Sequence, residues 1–213
     1  EISVTSLEQL ARADAFISIG LGRRDALWEV RGLNVPPPPL FAAAEARHDT
    51  YLFKPKMKIL LPDMALGEQV IEDYKTLHLS LKQHPLALLR SKFAPLGLTQ
   101  NHCLDRMTSG QQVKIAGLVL VRQRPSTAKG VIFTTLEDET GIANVIVWPP
   151  IFGRYRQTML SAKLLGVEGK LQREGIVVHV VAKRLINLSA NLAALKNITE
   201  VLQNPPTTPQ SQF

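Results

Sequence analysis

Hydrophobic positions follow two different periods along the chain. From Thr5 to Gly32 the apolar residues Leu7, Leu10, Ala11, Phe16, Leu27, Trp28 and Val30 fall at the spacings of amphipathic helix. Four prolines, Pro36 to Pro39, stop that pattern, because proline lacks the N–H a helix interior needs and favours an extended chain. Leu40 to Arg47 reads as a short helix and Lys54 to Lys58 as a basic loop. Helical spacing returns over Pro62 to Leu81, with Met64, Val70, Ile71, Tyr74 and Leu77 as its inner face. His84-Pro85 breaks it, and Leu86 to Phe93 forms a further helix.

From Gly110 onward the period shortens to two. Val113, Ile115, Leu118, Leu120 and Val121 predict a long strand, with Gly117 as its bulge or bend. A polar loop over Arg122 to Gly130 leads to a second strand, Val131 to Leu136, and a turn at Glu137 to Gly141 leads to a third, Ile142 to Trp148. Ile151, Tyr155, Met159 and Leu160 give a helix over Ile151 to Ser161, and two more strands, Lys163 to Arg173 and Ile176 to Ile186, flank Glu174-Gly175. Three strands, a helix and two strands is the element order of a five-stranded OB-fold barrel; another small barrel or an open sheet with one helix remains the alternative. The predicted fold is therefore α+β and multi-domain. A helix-hairpin-helix region spans 1–35, a proline-containing linker and helical region 36–109, the OB-fold 110–188, and a short helix with a disordered, Pro/Thr/Gln-rich tail 189–213.

Charge sharpens this picture. The 213 residues carry a net charge of +7, and between Gln112 and Arg184 eleven basic residues face five acidic ones. A basic excess confined to one domain suits a polyanionic partner, since neutralising phosphates releases counterions, although a solvated surface is equally basic. Apolar residues at 45% and charged residues at 20% are a globular balance. No run approaches the length of a membrane span. One cysteine, Cys103, excludes a disulfide framework and points to a reducing cytoplasm. A first residue of Glu rather than Met fits a piece of a longer polypeptide.

Two clusters carry candidate chemistry. Gly20-Leu21-Gly22-Arg23-Arg24, between two helices, has the make-up of a hairpin whose glycines allow a tight turn. Backbone N–H groups at the start of its second helix would face a phosphate, with Arg23 and Arg24 beside them; an ordinary glycine turn is the alternative. In the barrel, if Ile132 and Leu136 point inward, alternation turns Phe133 outward as a base-stacking platform. Asn144 and Trp148 on the third strand are further candidates unless a bulge inverts them. Lys114, Arg122, Arg124 and Lys129 would line the first loop, and Arg154 and Arg156 the helix side. Glu137-Asp138-Glu139 reads as a solvated turn rather than a magnesium centre, and the five histidines show no paired metal-ligand spacing. No catalytic constellation, metal site or phosphate loop emerges.

Longer runs resemble a known family. Leu10 to Phe16, Gly20 to Arg24 and Ala26-Leu27-Trp28 resemble the hairpin region of bacterial C-family replicative polymerases, to which the DNA polymerase III alpha subunit belongs. Gly117 to Pro125, Thr127 to Gly130, Phe133 to Asn144, Glu174-Gly175 and Val177 to Ala182 resemble the OB domain of that family's error-prone branch, the ImuC type of damage-induced mutagenesis. The resemblance covers nearly the whole chain except the last twenty or so residues. It implies the C-terminal region of an error-prone, translesion DNA polymerase. The family's palm carboxylates and its N-terminal phosphoesterase-like domain are not in this sequence. The implied task is to hold DNA: duplex on the hairpin and single-stranded template on the OB-fold. The parent polymerase is expected to use magnesium, and this stretch no cofactor and no polymerase activity of its own. The family's clamp-binding peptide corresponds here to Pro36 to Phe41, which keeps Leu40-Phe41 but lacks the leading glutamine. Direct sliding-clamp binding is therefore not expected, and a Y-family-like partner protein would supply it, in a cytoplasmic, nucleoid-associated setting. A protein–protein docking module that binds this partner, and a tRNA-anticodon type of OB domain, are the competing readings.

Overall fold

A computed structural model describes residues 2–33 and 61–198. The proline run, Leu40-Phe41, the basic loop at Lys54 to Lys58 and the Pro/Thr/Gln-rich tail lie outside them. Contacts divide the chain into two units: Glu1–Ala65 with Ile71–Ser80, and Leu66–Val70 with Leu81–Phe213. The helical stretch after Leu81, assigned to a linker region by sequence, thus belongs with the barrel.

In the first unit the single long helical pattern is two helices, α1 (Val4–Arg12) and α2 (Arg23–Gly32), joined through a 3-10 turn at Ile17–Ile19. Ser3 caps α1, its Oγ accepting from the Ser6 N–H at 3.1 Å. Ala11, Ala26 and Val30 form the core, with Leu7, Phe16, Leu21 and Leu27 packed on it. Gly20 takes the left-handed conformation, φ 81°, that a side chain would resist. Gly22, by contrast, is the extended N-cap of α2, φ −64° and ψ 162°, so the hairpin demands glycine conformation at only the first of the pair. The pattern from Pro62 condenses to helix α3 (Leu66–Thr76).

The second unit is built on a closed barrel in the order β1-β2-β3-β5-β4. Its strands are β1 (Gln112–Gln123), β2 (Ile132–Asp138), β3 (Gly141–Val147), β4 (Leu164–Glu174) and β5 (Val177–Asn187). The barrel is an OB-fold. Ile115, Leu136, Val145, Val147, Met159, Leu165, Leu171 and Val180 fill its interior. The expected helix before β4 is two short ones, α5 (Pro149–Arg154) and α6 (Arg156–Ser161), split where Tyr155 leaves helical geometry at φ −116°, ψ 28°. Gly153 just before the break is a poor helix former. The bulge expected at Gly117 lies instead between Val119 and Val121. Gly117 serves close approach: a Cβ there would stand 2.7 Å from the Leu136 Cβ and 2.9 Å from the Glu137 N.

Helix α4 (Pro85–Phe93) packs on this barrel, with His84 as N-cap and Pro85 at the first position, where a missing N–H is harmless. Its Arg90 reaches the acidic turn between β2 and β3. That turn is not solvated, as its sequence had implied. Asp138 is buried, its Oδ1 accepting from the Thr140 N–H (2.7 Å), the Thr140 hydroxyl (2.6 Å) and the Gly141 N–H (3.1 Å). Its Oδ2 accepts from the Asn101 N–H at 2.9 Å and Arg90 Nη2 at 3.2 Å. Arg90 also holds Glu139 in a fork, both contacts at 2.7 Å. Asp138→Ala would leave the Asn101, Thr140 and Gly141 N–H groups without their acceptor, while Arg90 keeps Glu139. It should destabilise this unit by about 3 kcal/mol or more, since each buried N–H left without an acceptor costs about 1–3 kcal/mol, read from the urea-unfolding midpoint.

His84 adds a pH dependence to the same joint. Its Nδ1 accepts from the Leu86 N–H at 3.1 Å, so a second ring proton would break the cap. Burial holds its pKa below the ordinary value of 6.5, against the opposing pull of Glu137, Glu139 and Asp138. The unfolded chain therefore takes up this proton first, and stability present above about pH 6.5 is lost as pH falls towards the lowered native value. His84→Asn keeps a side-chain acceptor for the cap. The difference in unfolding free energy between the native chain and His84→Asn should fall as the pH is lowered through this window, measured by urea unfolding.

Candidate nucleic-acid interface

Antiparallel pairing of β2 with β3 runs without a register shift from Ile132↔Val147 to Asp138↔Gly141. Ile132, Thr134, Leu136 and Asp138 are therefore inward on β2, and Ala143, Val145 and Val147 on β3. Phe133, Thr135, Asn144 and Ile146 face out, as alternation requires. Since residues directly opposite one another share a face, the registers assemble two rows across the outer surface. One is Gln123, Phe133, Ile146, Val181 and Lys170; the other is Val121, Thr135, Asn144, His179 and Gln172. The first is apolar at its centre. The second is mainly hydrogen-bonding side chains, with Thr135 Oγ1 3.3 Å from Asn144 Oδ1 and the His179 Nδ1 buried and without a partner among the described residues. Phe133 is 37% exposed and Trp148, just past the end of β3, is 52% exposed.

Beside this face, at the end of the barrel where β1 meets α6, lies a groove of about 520 Å³. Arg122, Gln123, Arg124, Ile132, Phe152 and Arg156 line it. The Arg124 guanidinium carbon sits 5.8 Å from the centroid of the Phe152 ring, a cation–π contact. Arg122 donates to the Ala162 carbonyl, and burial pushes its guanidinium below the ordinary value.

The basic residues do not gather as the sequence had placed them. Arg122, Arg124 and Arg156 come together, whereas Lys129 is exposed in the β1–β2 loop and Arg154 is exposed on α5 outside the groove. Lys114 is not in that loop: it sits on β1 opposite Glu168 of β4, 3.8 Å from its carboxylate. The hairpin arginines are also engaged within their own unit. Arg23 is buried against Asp73 of α3, and Arg24 donates to the Pro62 carbonyl at 2.7 Å and the Asp63 carbonyl at 3.3 Å. Neither is displayed as a phosphate contact. Gly20 and Gly22 do have open space where a Cβ would point. Sequence reasoning missed His179, Gln172, Val181 and Phe152. Only the parallel β3–β5 register, which no local pattern encodes, brings the first three to the face.

Residues 113–188 match the tRNA_anti-codon family model, described as an OB-fold nucleic acid binding domain. Relatives over nearly the full chain are more specific. Error-prone DNA polymerase 1 of Rhizobium meliloti (strain 1021) is 48% identical over 199 residues, 92% of this chain and 18% of that protein. Error-prone DNA polymerase of Ruegeria pomeroyi (strain ATCC 700808 / DSM 15171 / DSS-3) is 47% identical over 206 residues, 96% of this chain and 18% of that protein. The chain is thus homologous to one region of the bacterial error-prone DNA polymerases, and it spans about a fifth of the length of the curated relatives it matches. Among solved structures, asparaginyl-tRNA synthetase from Pyrococcus horikoshii, complexed with asparaginyl-adenylate, is 18% identical, with TM-score 0.38 over 43% of this chain and 22% of that chain; the likeness is too slight to build on. No helix among the described residues is long and apolar enough to cross a membrane.

A buried Arg23–Asp73 pair makes a stability role measurable. Arg23→Ala should destabilise the first unit by about 3–5 kcal/mol, because it removes the cation paired with a buried carboxylate, which keeps the Ser80 hydroxyl but no longer has Arg23. Thermal unfolding followed by circular dichroism checks this, and a melting temperature equal to that of the native chain would refute it.

Proposed function

We propose that this chain is the C-terminal, DNA-holding region of an error-prone polymerase used in translesion synthesis and damage-induced mutagenesis, and that its OB-fold holds single-stranded template. The observation that carries the reading is Phe133, outward on β2 in a row that crosses all five strands, flanked by Ile146 and by a row of hydrogen-bonding side chains. A base stacks on an exposed ring whatever its identity, while Thr135, Asn144 and His179 offer donors and acceptors to base edges and sugars. Homology to error-prone polymerases and the nucleic-acid description of the matching family support it. Nucleotide transfer, with its magnesium ions and palm carboxylates, belongs on this reading to other parts of a longer polypeptide. Duplex contact by the hairpin rests on the backbone around Gly20 and Gly22 rather than on Arg23 and Arg24. A Y-family-like partner, in place of strong direct clamp contact, and a cytoplasmic, nucleoid-associated location complete the proposal.

A second reading has its own observation. Leu120, Val121 and Ile142 are exposed on the outer surface of β1 and β3, and such apolar area also suits a protein partner. Titration of the chain with a fluorescent oligothymidylate separates the two. Stacking on one aromatic is worth about 1–3 kcal/mol, so Phe133→Ala should weaken binding about five- to a hundredfold while leaving the salt dependence nearly intact. Absence of binding at low salt would favour the docking reading.

A further inference from the structure

Three arginines line one groove, with no carboxylate among its lining residues. Arg122, Arg124 and Arg156 have no ion-pair partner among the described residues, whereas Arg90, Arg184 and Lys114 on the same unit each meet a carboxylate. The groove is also built rather than incidental. Arg124 is held over the Phe152 ring, and a Cβ on Gly130 would stand 3.4 Å from its Nη2. Arg122 is fixed by its bond to the Ala162 carbonyl, which leaves its remaining donors available to a ligand. Ile132 and Phe152 give the groove an apolar wall that raises the strength of any charge pairing inside it.

The groove is continuous with the stacking face. Gln123 lines the groove and is directly opposite Phe133 in the β1–β2 register, so a strand leaving the Phe133 ring along this row meets the arginines next. We propose that this groove seats the phosphodiester backbone of single-stranded nucleic acid as the strand leaves the β2–β3 face, with Arg124 and Arg156 as its phosphate contacts. The choice of phosphate over protein carboxylate follows from that continuity and from the arginines themselves, whose planar forks match phosphate oxygens two at a time. The inference rests on the single-strand reading above and assigns it a path.

The test uses the 213-residue chain and three probes. These are an oligothymidylate of about fifteen nucleotides, the upper range of one OB-fold's site; an abasic strand of the same length; and poly-glutamate. Each is titrated over a series of salt concentrations. Arg122 is left intact because it ties Ala162. Arg124→Gln with Arg156→Gln should lower the log–log salt slope by about 1.4 on both strands, about 0.7 for each lost contact. Arg156→Gln alone, which disturbs no described contact, should lower it by about 0.7. Phe133→Ala should weaken the oligothymidylate and leave the abasic strand unchanged. Oligothymidylate binding with an unaltered slope in the arginine variants overturns the groove and leaves the single-strand reading standing. Poly-glutamate bound through Arg124 and Arg156, with neither strand bound, overturns both and makes the groove a dock for an acidic protein. Binding of none of the three overturns both as well.

Discussion

One strand has to serve two partners, and the barrel's form follows from how it does so. β1 pairs with β4 from Gln112 to Leu118 and with β2 from Leu118 to Gln123, so Leu118 belongs to both ladders. The turn from one partner to the other needs backbone to approach backbone, and Gly117 permits it where any Cβ would strike Leu136 and Glu137. On β4, Gly169 does the same beside a second register shift, since a Cβ there would stand 2.4 Å from the Val181 carbonyl oxygen. The bulge after Val119 then resets the alternation of β1. Val121 and Gln123 come out beside Thr135 and Phe133, and Arg122 turns towards Ala162. One extra residue at Leu120 thus decides that the stacking face carries a glutamine and the adjoining groove an arginine. Thr134 offsets the local cost, its buried hydroxyl donating to the Val121 carbonyl at 2.8 Å.

The β2–β3 turn shows what a local reading of charge overlooks. Glu137-Asp138-Glu139 before a glycine has the composition of an exposed, solvated turn. Its partners, Arg90 and Asn101, lie 37 to 49 residues earlier in the chain. A carboxylate buried with five donors is satisfied rather than solvated, and it fixes both the hairpin and the segment that carries Arg90. Rigidity of the hairpin matters to the outer face, because Phe133, Thr135, Asn144 and Ile146 all project from it.

Legibility follows the range of the physics involved. The five strands and the helical insertion were visible because a period of two is local, and the outward facing of Phe133 followed from it; that of Asn144 depended on β3 carrying no bulge, which the unbroken β2–β3 register supplies. The two helices that replace Ile151 to Ser161 were not, because the break at Tyr155 carries no proline. Arg23 and Lys114 were misjudged for one reason: each was read as a free cation, and each meets a carboxylate from a distant part of its own unit, Asp73 and Glu168. Their neighbours in sequence gave no sign of it. Arg122, Arg124 and Arg156 line one groove, and their separation from Lys129 and Arg154 depends on how α6 lies against β1.

The face and the groove divide two kinds of interaction that respond differently to the surroundings. On the proposed reading, stacking on Phe133 would be short-ranged and insensitive to salt, while the arginines would act through charge that ions screen over about 10 Å at moderate ionic strength. A surface with one central ring and a few cations gives weak affinity by itself. Weak affinity suffices on the proposed reading, because a module joined to other nucleic-acid contacts binds at an effective concentration set by its linkage. Modest stacking also lets a strand move past without a high barrier at each base, which a template-holding surface requires. On the same reading the hydrogen-bonding row of Thr135, Asn144 and His179 would steady a strand already held by ring and phosphate contacts, and would not have to select it.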